Sequence, residues 1–141
     1  MSHISKIEFG ENWDVKTLKN MCKVEEDFEW IENKKTYNWW GYHVGDYPIP
    51  NGFTKEELGS CDHAIKVKGA SYEIGVVNKN GKTHLLWDFY YTGGLQQALG
   101  KGAEKLKQCY SLAKVRQEAM MKGKIFQEAR KNGYREIVIN M

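Results

Sequence analysis

The chain has little cysteine and little proline. Its 141 residues include three cysteines and two prolines, and the cysteines lie far apart without a C-x-x-C pair. This pattern is typical of reduced thiols, with a disulfide or redox role as the alternative. The sequence therefore does not predict a disulfide-stapled scaffold.

Long apolar segments are also missing, and no stretch is long and apolar enough to cross a bilayer. The opening residues, MSHISKI, lack the apolar core and small-residue cleavage site of a secretory signal. We therefore expect a cytoplasmic protein without membrane association. With 41% hydrophobic and 28% charged residues, the composition is ordinary for one globular domain covering residues 1–141.

Motifs that carry nucleotide or metal chemistry are missing as well. Neither G-x-G-x-x-G nor G-x-x-x-x-G-K-[ST] occurs. Gly100-Lys101-Gly102 is expected about two turns inside a helical region, away from the helix start where phosphates bind. Cys61 and His63 are metal-ligand types, but no second closely spaced pair accompanies them. We expect no metal, no cofactor and no enzymatic activity.

Two single residues could still suggest catalysis. Cys109 lies at helical spacing with leucines, which is typical of a buried, inert thiol rather than a nucleophile. Asp88 stands between Trp87 and Phe89 in a predicted strand. We interpret it as a buried carboxylate that is hydrogen-bonded to the backbone or to Tyr90, and not as a general acid.

Alternating apolar residues and turn signals predict a mostly antiparallel sheet. The clearest pattern is a β-hairpin that turns at Asn80-Gly81, a dipeptide suited to positive φ. The strands are expected at residues 3–9, 37–44, 63–67, 72–77, 82–91 and 134–141.

Two helical regions are predicted. Asn12 or Asp14 can cap a first helix that buries Leu18 and Met21. A longer helical region runs over residues 95–132, and its glycines should divide it into two or three pieces. The predicted class is α+β, an antiparallel sheet of about four to six strands with an N-terminal helix and a long C-terminal helical unit on one face.

The positive charge is concentrated near the C-terminus. Residues 95–141 hold ten of the 21 Lys and Arg residues and four of the 18 Asp and Glu residues. A basic surface of this kind favours an anionic partner, either protein or nucleic acid, although a solubilising surface is the plainer alternative. The candidate partner-binding residues are Lys101, Lys105, Lys114, Arg116, Lys122 and Arg130.

A rival hypothesis places a small-molecule or enzymatic pocket beneath the long loop at residues 45–61. The loop carries turn chemistry around Pro48 and Pro50, and long loops are often binding elements or insertions. The candidate pocket residues are Trp39, Tyr42, His43 and His63. A third hypothesis is a homo-oligomeric structural role through an open sheet edge or an aromatic patch.

Several stretches resemble a known family. They are MSHISKI at the start, YEIG followed by LWDF in the hairpin, CYSLAKV, and EARKNGY near the end. Together they resemble the hypothetical chloroplast reading frame thirty-five family, a cyanobacterial and plastid domain of unknown function. The resemblance implies an accessory role in a photosynthetic lineage or a virus infecting one, in host cytoplasm or plastid stroma. It supplies no catalytic residues.

Overall fold

The computed structural model describes residues 3–9, 13–39, 41, 48–121, 125–131 and 134–140, and of residues 121–140 only the backbone. The strands are β1 (Ile4–Lys6), β2 (Phe28–Ile31), β3 (His63–Val67), β4 (Glu73–Lys79), β5 (Lys82–Asp88), β6 (Ile125–Lys131) and β7 (Tyr134–Asn140). The α-helices are α1 (Val15–Val24), α2 (Leu95–Leu99) and α3 (Glu104–Met121). Short 3₁₀ turns lie at Lys55–Glu57 and Tyr91–Gly93.

Five strands form one antiparallel sheet in the order β1-β5-β4-β3-β2. Strands β6 and β7 form a separate two-stranded antiparallel sheet. The predicted α+β class, with an antiparallel sheet, an N-terminal helix and a longer C-terminal helix, is confirmed. Within the described residues, no helix combines the length and the apolar character that crossing a membrane requires.

The β4–β5 hairpin forms where the sequence predicts it. Asn80 and Gly81 have φ angles of 53° and 75°. A type I′ turn requires positive φ at both central residues, and its twist matches that of the two strands. The turn thereby fixes the register, in which Lys79 lies opposite Lys82.

Helix α1 begins at the predicted cap. The Asp14 carboxylate accepts hydrogen bonds from the Thr17 backbone N–H at 3.0 Å and from the Thr17 hydroxyl at 2.7 Å. The cap satisfies a backbone donor that has no partner inside the helix. Leu18 and Met21 are fully buried against the sheet, as the sequence predicts.

The two faces of the five-stranded sheet are covered differently. Alternate side chains such as Ile65, Ile74 and Leu85 pack against α1, α2 and α3 on the helical side. The opposite side chains, such as Ala64 and Leu86, pack against the chain between β2 and β3. We call this second face the loop side.

One predicted strand is wrong, and one observed strand nearby was not predicted. Residues 37–39 are not a strand, and Tyr37 is instead buried in the loop-side core; residues 40 and 42–44 of that prediction lie outside the described part. The strand in this region is β2, Phe28–Ile31, a segment to which the sequence prediction assigned no element. Aromatic content favoured the wrong segment because large rings suit a covering loop as well as a strand.

The predicted helix over residues 95–132 is correct only in part. The predicted division is confirmed, since α2 and α3 are separated by a turn at Gly100–Ala103. However, α3 ends at Met121, and residues 125–131 form β6 instead of helix. The predicted final strand is β7, but it pairs with β6 and not with the main sheet.

Candidate functional site

Three of the predicted partner-binding lysines lie at the surface of the helical side. Lys101 and Lys114 are exposed. Lys105 is also exposed and forms a salt bridge with Asp27, in the turn after α1. The charge of Lys105 is therefore partly compensated by the protein itself, whereas within the described residues no carboxylate pairs with Lys101 or Lys114.

The other three predicted residues do not join this helical surface. Arg116 is 8% exposed, and its Nη2 lies 3.9 Å from the Glu25 Oε2 atom. It faces α1 and not solvent, which corrects its assignment to the docking face. Arg130 is on strand β6 rather than on a helix, and Lys122 lies outside the described residues.

Helix α1 supplies basic residues that the sequence reading missed. Its ten residues include Lys16, Lys19 and Lys23 and no acidic residue. Lys16 and Lys23 are exposed, while Lys19 lies 3.1 Å from a Glu32 carboxylate oxygen. The hydrogen bond from the Trp30 indole, and then that from Lys19, lower the pKa of Glu32. The net −3 charge of residues 1–94 concealed this local concentration of lysine.

The two helices lie side by side. The Thr17 hydroxyl oxygen lies 2.6 Å from the Gln117 side-chain amide, and the Tyr110 hydroxyl accepts from the Asp14 backbone N–H at 2.9 Å. Lys16 adjoins Thr17, and Lys114 is one helical turn before Gln117. We call Lys16, Lys23, Lys101 and Lys114 the basic helical layer.

The predicted pocket is not assembled from its predicted residues. Trp39 packs with the loop-side core, where a Cβ on Gly59 would stand 2.7 Å from its ring. His63 lies on the helical side, 5.0 Å between ring centroids from Trp30, and its Nδ1 accepts the Asn33 backbone N–H at 3.0 Å. The sheet separates Trp39 from His63, while Tyr42 and His43 lie outside the described residues.

Much of the space beneath the described part of the loop is filled by apolar side chains. These buried residues are Tyr37, Phe53, Leu58, Ala64 and Leu86, together with Ile4 from β1. The aromatic side chains of residues 37–39 therefore serve mainly as core. Tyr37 in particular is 1% exposed and offers no surface for base stacking.

Cys61 and His63 are both hydrogen-bonded to the backbone that follows β2. The Cys61 thiol donates to the Lys34 carbonyl oxygen at 2.8 Å, and burial followed by the nearby Asp62 charge raises its pKa to about 12. A metal needs a thiolate, which these surroundings disfavour. No group of three or more His, Cys, Asp or Glu residues converges anywhere in the ranges that the structure describes.

Asp88 and Cys109 occupy the sites that the sequence predicts. Asp88 is fully buried, and one carboxylate oxygen accepts the backbone N–H groups of His3 and Tyr90, each at 3.0 Å. This arrangement joins the β1 and β5 ends and confirms a structural carboxylate. Cys109 is buried in the helical-side core.

The Gly100-Lys101-Gly102 segment is not inside a helix, contrary to the sequence prediction. It is the turn immediately before α3. The Glu104 carboxylate lies against this turn, and its two oxygens accept the Gly102 backbone N–H at 3.0 and 3.1 Å. A carboxylate of the protein itself thus lies at the start of α3, where the helix dipole favours negative charge.

Fold and surface together define a small α+β protein with a lysine-bearing helical layer. No family model, no curated protein and no solved structure matches the chain. The resemblance to the chloroplast reading frame thirty-five family therefore stays a prediction, carried by the sequence stretches alone.

Proposed function

We propose that this protein is a non-enzymatic binding module that docks an anionic macromolecule on its basic helical layer. The observation that carries the proposal is the composition of α1, which bears three lysines and no acidic residue beside the exposed lysines of the α3 region. An isolated solubilising surface normally mixes both signs. Within the described residues Lys16, Lys23, Lys101 and Lys114 have no salt-bridge partner. Such lysines create a positive field that attracts anionic partners.

The buried and paired basic residues sharpen this proposal. Arg116 faces Glu25 and Lys105 faces Asp27, so these two side chains tie α3 to α1 and its following turn. The binding function falls to Lys16, Lys23, Lys101 and Lys114. The docking face thus extends from the C-terminal helical unit onto α1, beyond the region that the charge distribution along the sequence indicates.

The test compares two triple variants that have the same change in charge. The first replaces Lys16, Lys23 and Lys114 by Glu; the control replaces Lys35, Lys55 and Lys68, which are exposed outside α1–α3. Binding to single-stranded RNA and to polyglutamate is measured at several salt concentrations. We expect the first variant to lose at least tenfold in affinity for one of the two polymers and the control less than threefold.

The two polymers identify the kind of partner. Phosphate contacts release condensed counterions, so log affinity for RNA should fall linearly with log salt, with a slope near −0.7 for each contact. Preference for polyglutamate would indicate an acidic protein partner. Equal losses in both variants, or no loss in either, would reject the helical layer as the docking face.

We further propose a cytoplasmic setting and, from the family resemblance, an accessory role in a cyanobacterial or plastid lineage or in a virus infecting one. The lysine-bearing layer is compatible with such a role because an accessory module needs a docking surface and no catalytic centre. Recovery of the protein with a discrete partner from host lysate after nuclease treatment would support an adaptor role. Recovery that depends on intact RNA would support a nucleic-acid role.

A further inference from the structure

A cleft of about 250 Å³ opens on the loop side, at the end of the sheet that carries the β4–β5 turn. Four of its lining residues are basic or can become so: Lys6, Lys79, Lys82 and His84. They come from three strands, and the ring of Phe53 from the covering loop lies among them. The cleft is remote from the basic helical layer because the sheet lies between the two surfaces.

Strand register brings the basic side chains together. Lys79 and Lys82 are direct cross-strand partners next to the turn. Lys82, His84 and Leu86 are every second residue of β5 and so share one face of the strand. Lys6 of β1 lies opposite Leu86 and is therefore on the same face. Like charges directly opposite each other destabilise a sheet. An anion bound beside them would offset this repulsion.

The protein itself supplies one anion at this site, the Glu57 carboxylate, which forms a salt bridge with Lys79. Lys79 Nζ donates to both Glu57 carboxylate oxygens, at 2.8 and 2.7 Å. The same carboxylate accepts the Thr54 backbone N–H at 2.7 Å. Within the described ranges, no carboxylate contacts Lys6 or Lys82.

The Phe53 ring lies beside three of the basic groups. Its ring centroid is 4.8 Å from Lys79 Nζ and 6.0 Å from Lys6 Nζ, and its ring meets His84 edge-on at 5.3 Å. Burial, followed by the charges of Lys6, Lys82 and Lys79, lowers the pKa of His84. A bound anion would oppose the charge part of that effect and strengthen a hydrogen bond from the imidazole.

We propose that this cleft binds a small soluble ligand through a phosphate or diphosphate group that faces Lys6, Lys82 and His84. A phosphate carries up to two charges and several acceptor oxygens, which suits several donors converging from different strands, and lysine binds it as a point charge. Drug-sized ligands need pockets of about 300–1,000 Å³. This cleft is smaller and suits inorganic phosphate, pyrophosphate or a small ester of either.

The experiment titrates inorganic pyrophosphate into the full chain at constant ionic strength. Isothermal calorimetry gives the affinity, and backbone amide NMR shifts locate the site. The test variant is Lys6→Gln with Lys82→Gln; the control is Lys35→Gln with Lys68→Gln, the same loss of charge at exposed positions outside both proposed binding surfaces. We expect saturable binding with shifts at residues 79–84, at least tenfold weaker in the test variant and within twofold in the control.

Two further measurements make the result decisive. His84→Gln, which leaves the lysines in place, should weaken pyrophosphate binding severalfold, and acetate should not compete at equal ionic strength. Absence of saturable binding at millimolar pyrophosphate would overturn the proposal. Equal weakening in both lysine pairs would overturn it too. The polymer assay above tests different residues on the opposite face of the sheet. A negative result in one experiment therefore does not decide the other proposal.

Discussion

Gly75 of β4 lies directly under the ring of Tyr37, so close that a Cβ on this residue would stand 2.3 Å from the Tyr37 Cδ1 atom. Tyr37 is 1% exposed, and its hydroxyl accepts the Gly59 backbone N–H at 3.0 Å. Glycine inside a strand often marks such a close approach. The contact holds the chain after β2 against the loop side of the sheet.

Gly75→Ala should therefore destabilise the protein by about 1–3 kcal/mol, because the added methyl group collides with a packed ring. Urea denaturation measures the cost. Gly75→Ala should cost less when it is introduced into the Tyr37→Leu variant than into the wild type, because the smaller side chain relieves the collision. If the two substitutions are simply additive, the contact does not explain the glycine.

Asp88→Ala should cost about 1–3 kcal/mol or more, since it leaves the His3 and Tyr90 backbone donors without the acceptor they now share. Asp88→Asn retains a carbonyl oxygen and should cost clearly less. Thermal and urea unfolding of both variants measure the difference. Equal losses would show that charge, and not acceptance of these two hydrogen bonds, is what the site requires.

Arg116→Ala should cost about 1–3 kcal/mol, because it removes a buried cation that lies 3.9 Å from the Glu25 carboxylate. Lys114→Ala, two residues away and exposed, should change the free energy of unfolding by no more than about 0.5 kcal/mol. Denaturant titration of the pair separates a structural cation from a surface cation. Similar values for both variants would contradict the burial-based assignment.

His84 should make stability depend on pH. Its pKa lies below the ordinary 6.5, so near that pH the folded state binds fewer protons than the unfolded chain. The stabilisation is therefore present above pH 6.5 and is lost as the pH falls through the lowered pKa. Between pH 7.5 and 5 the melting temperature of the wild type should fall more than that of His84→Gln. Parallel curves would exclude a contribution of His84 to the pH dependence. The cationic groups facing the imidazole are Lys6, Lys79 and Lys82.

The partly buried thiols should be unreactive. Burial, followed by the neighbouring Cys109, raises the pKa of Cys22 to about 12, and burial raises that of Cys61 to about 12. At pH 8 a thiol of this pKa is thiolate in about one molecule in ten thousand, and the thiolate is the nucleophile. Iodoacetamide labelling followed by mass spectrometry should be slow in native protein and fast in urea. Rapid labelling of Cys22 or Cys61 in the native protein would contradict the predicted low reactivity.

The core hairpin could be predicted because its signals are local. Asn80-Gly81 selects the turn, and alternation along β4 and β5 selects which side chains face the helices. The cap at Asp14 and the break near Gly100 are local in the same sense. Strand β6 could not be predicted this way, because Phe126 and its neighbours suit a helical stripe as well as a strand, and pairing with β7 decides between them.

The candidate sites show the same division. The sequence indicated a basic surface, but it could not tell exposed Lys114 from buried Arg116, since both carry the same charge on one helix. It also grouped Trp39 with His63, which lie on opposite faces of the sheet. The sequence did not indicate that Lys6 and Lys82 share a cleft. They are far apart along the chain, and only the β1–β5 pairing places them on one face of the sheet.

The sequence by itself determined the α+β class, the hairpin, the first helix and the basic character of the C-terminal region, because periodicity, turn chemistry and charge act over a few residues. Only the tertiary structure decided which cations face solvent, which are paired and which meet in the loop-side cleft. These properties depend on strand order and on what covers each face of the sheet, and contacts between distant residues set both.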